Sequence, residues 1–192
     1  MATAMLVFFD YTCPYSRRLS ELLGAVEAPR VRWGPFVLAE NNRDQDGPPV
    51  WQRPGALTRP ALLALALHDA VIADRGDIDR FRRSVFTAFA QRRVGPEGLH
   101  GLAAAAGAGV DGAGVDEAAA HRKLTSVAAS HEMGRAAGVF GTPTVVTDGG
   151  HLGYLKLTDL PTALPVRRRL VQVALTAVND FPELSEIKRP AT

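Results

Sequence analysis

The sequence predicts an α/β protein in which a β-α-β opening and an α-β-β-α close are separated by an all-helical insertion. Three observations carry this. Short apolar runs bounded by turn residues stand near both ends, around 5–9, 31–37 and 144–157. The stretch between about 61 and 138 repeats apolar residues at helical spacing and carries no strand signal. The composition, 46% hydrophobic and 22% charged over 192 residues, suits one domain with a sizeable core or a small domain carrying an insertion.

Taken in order, Met5–Phe9 is a continuous apolar run stopped by Asp10, the pattern of a strand covered on both faces. After Tyr11-Thr12, Pro14 suits the first position of a helix, and Arg18, Leu19, Leu22, Leu23 and Val26 follow at helical spacing, so a helix starts near Cys13. Beyond a break at Ala28-Pro29, Val31, Trp33, Phe36 and Val37 form a second strand, and β-α-β in so short a span points to parallel pairing. From Ala39 to Gly55 the composition turns to Asn, Asp, Gly and Pro, which predicts a long surface loop with Trp51 as its only large apolar side chain.

Residues 61–75 and 78–92 read as amphipathic helices, through Leu62, Leu65 and Ala66 in the first and Ile78, Phe81, Val85 and Phe89 in the second. A third runs from Glu97 to Ala106 with Pro96 at its start. The Gly-rich segment 107–114 separates it from a helix that begins at Glu117 and closes at Gly138. A strand entered through Pro143 continues to Thr147, Asp148-Gly149-Gly150 is a hairpin turn, and His151–Leu157 returns. The final helix turns Val166, Leu170, Val173, Ala174 and Ala177 to the core and Arg167, Arg168 and Arg169 to solvent. From Asn179 a loosely held tail is expected.

Charge and cysteine usage exclude several classes. The 22 basic and 20 acidic groups are interspersed and leave a net charge of +2, so no basic face exists to hold a nucleic acid. A single cysteine excludes an intrachain disulfide and an all-Cys metal site and makes the cytoplasm the expected compartment. Met1–Met5 lacks the charged region of a signal peptide. The longest apolar stretch, Ala61–Ala73, is broken by His68 and Asp69 and falls short of the roughly 20 residues that span a bilayer, so neither a leader nor a membrane partner is expected. The five histidines show no ligand spacing, so no metal is expected. Each is placed on a helix or strand surface, His131 with Glu132 as a solvated pair.

The chemistry-bearing feature is Cys13-Pro14-Tyr15-Ser16, directly after a buried strand and opening a helix. There the sulfur faces free helix N–H groups and the positive end of the helix dipole, which favour the thiolate; the Ser16 hydroxyl and Arg17 are possible further partners. By itself the cysteine is equally well a small buried hydrophobe. Thr142-Pro143, just before a strand, adds a site where a cis X-Pro bond would hold the Thr142 backbone open beside the thiol. Pro14, Tyr15 and Arg17 flank the sulfur, and Trp51 in its polar loop either covers a substrate groove or anchors that loop. Asp10 is either a buried proton-transfer carboxylate or a turn residue.

In these residues, the helical insertion and Gly138-Val139-Phe140-Gly141-Thr142-Pro143-Thr144, the chain resembles the thioredoxin-fold superfamily, specifically its DsbA-like branch, over about residues 5–178. The resemblance implies a thioredoxin-like fold whose opening segment (1–56) and closing segment (121–178) flank the helical insertion (57–120), with a tail (179–192). It implies that Cys13 is the attacking cysteine, Pro143 the cis-proline and Thr142 the residue whose backbone pairs with substrate. Ser16 stands where dithiol members carry a second cysteine, so the implied activity is thiol–disulfide oxidoreduction by monothiol exchange. No cofactor is bound, and glutathione or mycothiol is the co-substrate that resolves the mixed disulfide. The partners are then a small thiol or disulfide or thiolated proteins, with a homodimer as an open oligomeric state. The branch also holds 2-hydroxychromene-2-carboxylate isomerases and kappa-class glutathione transferases, whose serine occupies the place of Cys13, and this remains the alternative. A third is a non-enzymatic thiol sensor.

Overall fold

The structure, a computed structural model, describes residues 5–26, 31–44, 46–108, 117–181, 183–184 and 186. The Ala28-Pro29 break, most of the Gly-rich 107–114 segment, the side chain of His121 and the end of the tail lie outside the described residues. A four-stranded sheet has β1 (Met5–Phe9) beside β2 (Val31–Pro35) on one side and β3 (Thr144–Val146) on the other, with β4 (Leu152–Tyr154) at the far edge. Between β1 and β2 runs α1 (Pro14–Ala25). After β2 come α2 (Leu38–Asn41), α3 (Pro60–Ala73), α4 (Ile78–Ala90), α5 (Pro96–Ala105) and α6 (Glu117–Ala136), and α7 (Leu164–Asp180) follows β4.

Both faces of β1 are covered, as its unbroken apolar run requires. Met5 and Val7 face Leu19, Leu22 and Leu23 of α1 and the inner side of α7, while Phe8 faces Phe36 and Val139. The second face closes tightly because α6 presents Gly134 there. A Cβ at that position would lie 2.9 Å from Phe36 Cδ2 and 3.1 Å from Phe8 Cε1. Phe9, at the end of β1, reaches a different core, the one built by α3, α4, α5 and α6.

The expectation of parallel pairing holds for β1 with β2, but β3 runs antiparallel to β1. The reason is where the chain re-enters the sheet: Thr144 pairs with Phe8 and Val146 with Leu6, so β3 starts at the C-terminal end of β1. Residues 142–143 are thereby delivered to the β1–α1 turn. The hairpin follows at Asp148-Gly149-Gly150, where Gly150 has φ 79° and its N–H donates to the Thr147 carbonyl.

Three further expectations are corrected. The segment 39–55 is not an open loop: α2 occupies 38–41, a 3-10 turn forms at Val50–Gln52, and buried Glu40 accepts from the Val50 N–H and from Arg43 Nε. Helix α3 is not amphipathic, because Leu62 through His68 and Val71 are all buried. Its sequence has no polar stripe, so it becomes the axis around which α4, α5 and α6 pack. In α7 the core-facing stripe is Leu170, Val171, Ala174 and Leu175, all half-buried, whereas Val166 and Val173 are more than half exposed, at 52% and 53%. Two apolar stripes one residue apart exist on that helix. Contact between Val178 and Gly153, where a Cβ would collide, goes with the second. Arg167 is accordingly half-buried, donating to the Pro161 carbonyl.

Candidate functional site

The β1–α1 turn is shaped by Asp10, a buried carboxylate that accepts from the Thr12 N–H (2.8 Å), the Thr12 hydroxyl (2.6 Å) and the Leu38 N–H (2.9 Å). It ties the turn to the start of α2. Burial pushes its pKa up, against the pull of those three donors. Next to it Tyr11 is fixed from the other side: its hydroxyl is hydrogen-bonded to His68 Nδ1 at 2.8 Å, inside a cage of Phe9, Phe81 and Phe86. Desolvation, helped by the positive charge of Arg82, lowers the His68 pKa to about 3, so this histidine is neutral. The turn is thus held rigidly between α2 and α3.

Cys13 is the N-cap of α1, with Pro14 in the first turn as expected. Its Sγ accepts from the Ser16 N–H at 3.5 Å and donates to the Thr142 carbonyl at 3.1 Å. The Thr142–Pro143 peptide is cis. The two features that stand 129 residues apart in the chain therefore meet in one hydrogen bond. Cys13 itself is only 5% exposed.

Other expected site residues take different places. Arg17 turns away and pairs with Glu21 at 2.6 Å. The Ser16 hydroxyl is buried and has no hydrogen-bond partner among the described residues, so it is the Ser16 amide and not its side chain that reaches the sulfur. Thr142 is buried, and its carbonyl accepts from the thiol. Trp51 is 9% exposed and packs edge-on to His131 at 5.3 Å, so it anchors its segment in the core and covers no groove. His68 and His131 are both fully buried, not on surfaces. His131 Nδ1 accepts from the Val37 N–H, and burial lowers its pKa. Both belong to helices whose neighbours enclose them, which helical spacing cannot show.

Around the sulfur the structure gathers Tyr15, expected there from the sequence, with Arg18, Tyr154 and Lys156, which the sequence alone does not single out. Tyr15, half-buried, carries Lys156 Nζ at 5.1 Å and Arg18 Cζ at 5.9 Å from its ring centroid. Tyr154 packs against Phe140 at 5.1 Å between centroids, and Phe140 is 68% exposed. Burial, then the nearness of the Cys13 sulfur, pushes the Tyr154 hydroxyl pKa up, with Lys156 pulling the other way. A signal for these residues does exist in the chain: counting outward from the Asp148-Gly149-Gly150 turn puts Tyr154 opposite Thr144. Among the described residues no cluster of three His, Cys, Asp or Glu is placed to hold a metal. No described helix is long and apolar enough to cross a membrane.

The sequence matches the DSBA-like thioredoxin domain over residues 4–164. The chain belongs to that family. The family's members are thiol–disulfide oxidoreductases, and in this chain the strand–Cys13–helix turn faces a cis-proline. Among solved structures, the cytosolic disulfide reductase DsbM from Pseudomonas aeruginosa superposes with a TM-score of 0.59 at 18% identity, covering 90% of this chain and 98% of that one. The same protein with GSH gives 0.58 at 17%, with the same coverage. Reduced DsbA1 from Neisseria meningitidis gives 0.50 at 18%, covering 95% and 87%. At these identities the likeness is one of fold: a thioredoxin-like α/β architecture with a helical insertion. No curated protein matches the chain.

Proposed function

We propose that this DsbA-like protein works by monothiol exchange through Cys13, with a low-molecular-weight thiol, glutathione or mycothiol, completing each turnover. The observation that carries the reading is that the chain's one cysteine caps α1 against the cis-proline loop, while Ser16 one turn later offers a hydroxyl that cannot form a disulfide. The Cys13 thiolate attacks one sulfur of a substrate disulfide. An S–S bond forms to Cys13, the substrate S–S bond breaks, and the departing thiolate takes up a proton. A second thiolate, from the small thiol, then attacks the mixed disulfide, regenerating Cys13 and leaving as the new disulfide. One disulfide is consumed and one formed, so the small thiol is the only reductant needed.

Pro143 and Thr142 hold the sulfur in place, with Ser16 contributing its amide, and Pro14 and Tyr15 border the approach. The reading suits a reducing, thiol-rich compartment such as the cytoplasm, and substrates that are small disulfides or thiolated proteins. The GSH carried by the similar DsbM structure agrees with the choice of co-substrate.

The test is exchange on a peptide–glutathione mixed disulfide with added thiol. The wild-type rate should rise with the added thiol, an adduct should appear on Cys13 by mass spectrometry, and Cys13→Ala should show only the uncatalysed rate. Unchanged turnover in Cys13→Ala would falsify the reading. Glutathione-dependent isomerisation or conjugation that survives Cys13→Ser would move the protein to the transferase-like class. An adduct without turnover would make it a sensor.

A further inference from the structure

The hairpin register carries the ladder beyond the last paired residues. Thr144 lies opposite Tyr154, and the Leu155 N–H donates to the Pro143 carbonyl at 3.0 Å. One step further places Lys156 alongside Thr142, whose carbonyl takes the Cys13 thiol. Alternation decides which way this residue faces: Leu155 and Leu157 pack into the core under α1 and α7, so Tyr154 and Lys156 turn outward, and both are exposed. There the Lys156 ammonium lies over the ring of Tyr15, two residues after Cys13, with the Arg18 guanidinium also at that ring. Arg18 is steadied by donating to the Leu157 carbonyl at 3.3 Å.

We propose that Lys156, with Arg18, forms a cationic subsite beside Cys13 that selects a small thiol bearing free carboxylates, and hence glutathione over the carboxylate-free mycothiol. This rests on the monothiol reading and narrows it. None of the ion pairs among the described residues uses Lys156 or Arg18; the nearest acidic side chain on the same face of α1, Glu21, is engaged by Arg17. An aromatic ring holds a cation without neutralising it, so both charges stay available to a ligand. Tyr154, which precedes Lys156 by two residues, and the Phe140 ring packed on it add exposed apolar surface. A thiol with a carboxylate a few bonds from its sulfur can place the sulfur at Cys13 and the carboxylate at Lys156. A thiol whose polar groups are all uncharged gains nothing there.

The experiment compares glutathione with its diethyl ester, which keeps the thiol and removes both carboxylates, as the resolving thiol for one mixed-disulfide substrate. Comparing the ratio of the two kcat/KM values between wild type and variant cancels the difference in their intrinsic reactivity. Lys156→Gln should lower that ratio about fivefold, the scale of one exposed ion pair, through KM for glutathione and not through kcat. Lys156→Glu should lower it further and Lys156→Arg should preserve it. In roughly 1 M salt, where charges are screened beyond about 3 Å, the wild-type ratio should fall to that of Lys156→Gln. A ratio unchanged in Lys156→Gln and Lys156→Glu overturns the inference while leaving the monothiol reading standing. Exchange with either thiol that persists in Cys13→Ala overturns the reading itself. Lys156 is exposed, so these variants fold, and their far-UV spectra and melting curves will show it.

Discussion

Acid should loosen this protein through His68, and the size of the effect follows from where that side chain sits. His68 lies in α3 with 0% exposure, and its Nδ1 is hydrogen-bonded to the hydroxyl of Tyr11, in the turn before Cys13. Its pKa falls from 6.5 to about 3, first because burial penalises the charged ring and then because Arg82 repels it. Between those two values the unfolded chain binds a proton that the folded chain refuses, so stability is intact above pH 6.5 and declines as pH falls toward 3. At pH 5 the unfolded state is about 1.5 pH units into protonation, and at about 1.36 kcal/mol per unit the loss is about 2 kcal/mol. With an m-value of about 2 kcal/mol per M, the urea midpoint should drop by about 1 M between pH 7.5 and pH 5. His131 is lowered in the same direction, chiefly by burial, so the control is His68→Gln, which keeps an acceptor for Tyr11 but does not titrate. That variant should lose most of the pH slope whatever its baseline stability. Parallel midpoint-versus-pH lines for wild type and His68→Gln would refute the assignment.

Ser16→Cys should produce a protein that oxidises dithiols without added small thiol, because the new sulfur would lie one helical turn from Cys13; followed by loss of free thiol in a model dithiol peptide, an absence of any gain would weaken the monothiol account. Gly134→Val should destabilise by about 2 kcal/mol in thermal melts, since the new atoms must displace the Phe8 and Phe36 rings that leave only 2.9 to 3.1 Å for a Cβ. Glu40→Ala should cost about 2 kcal/mol at pH 7, because it strips the buried Val50 N–H of its acceptor and leaves the Arg43 charge unpaired. Despite the opposing effect of burial, the Val50 and Arg43 contacts hold the Glu40 pKa below 4.5, so its contribution is present above that value and fades as pH falls. The Glu40→Ala penalty, read from urea midpoints, should therefore shrink at pH 4 or below.

Where a signal lies within one or two turns of chain, the reading from sequence holds. The apolar run ending at Asp10, Pro14 after Cys13, and the Asp148-Gly149-Gly150 turn each encode their local geometry through backbone preference, and each element sits where that preference places it. Thr142-Pro143 marks the second half of the site in the same way. The failures have a common cause. His68, His131 and Trp51 are polar or loop residues by sequence, and only the packing of α3 and α6 against their neighbours makes them buried. The choice between two apolar stripes on α7 likewise depends on the contact with Gly153 in a strand that the helix's own periodicity does not contain.

Sequence alone determined the β-α-β opening, the helical middle, the returning hairpin, and a thiol at a helix start with no second cysteine to answer it, because hydrophobic period, turn chemistry and composition are local properties. Tertiary structure alone decided that the thiol meets the Thr142 carbonyl, that β3 enters antiparallel to bring it there, and that Lys156 and Arg18 converge on Tyr15 beside it. These are distances between segments far apart in the chain, and they follow from strand order and side-chain packing, which no short window of residues records.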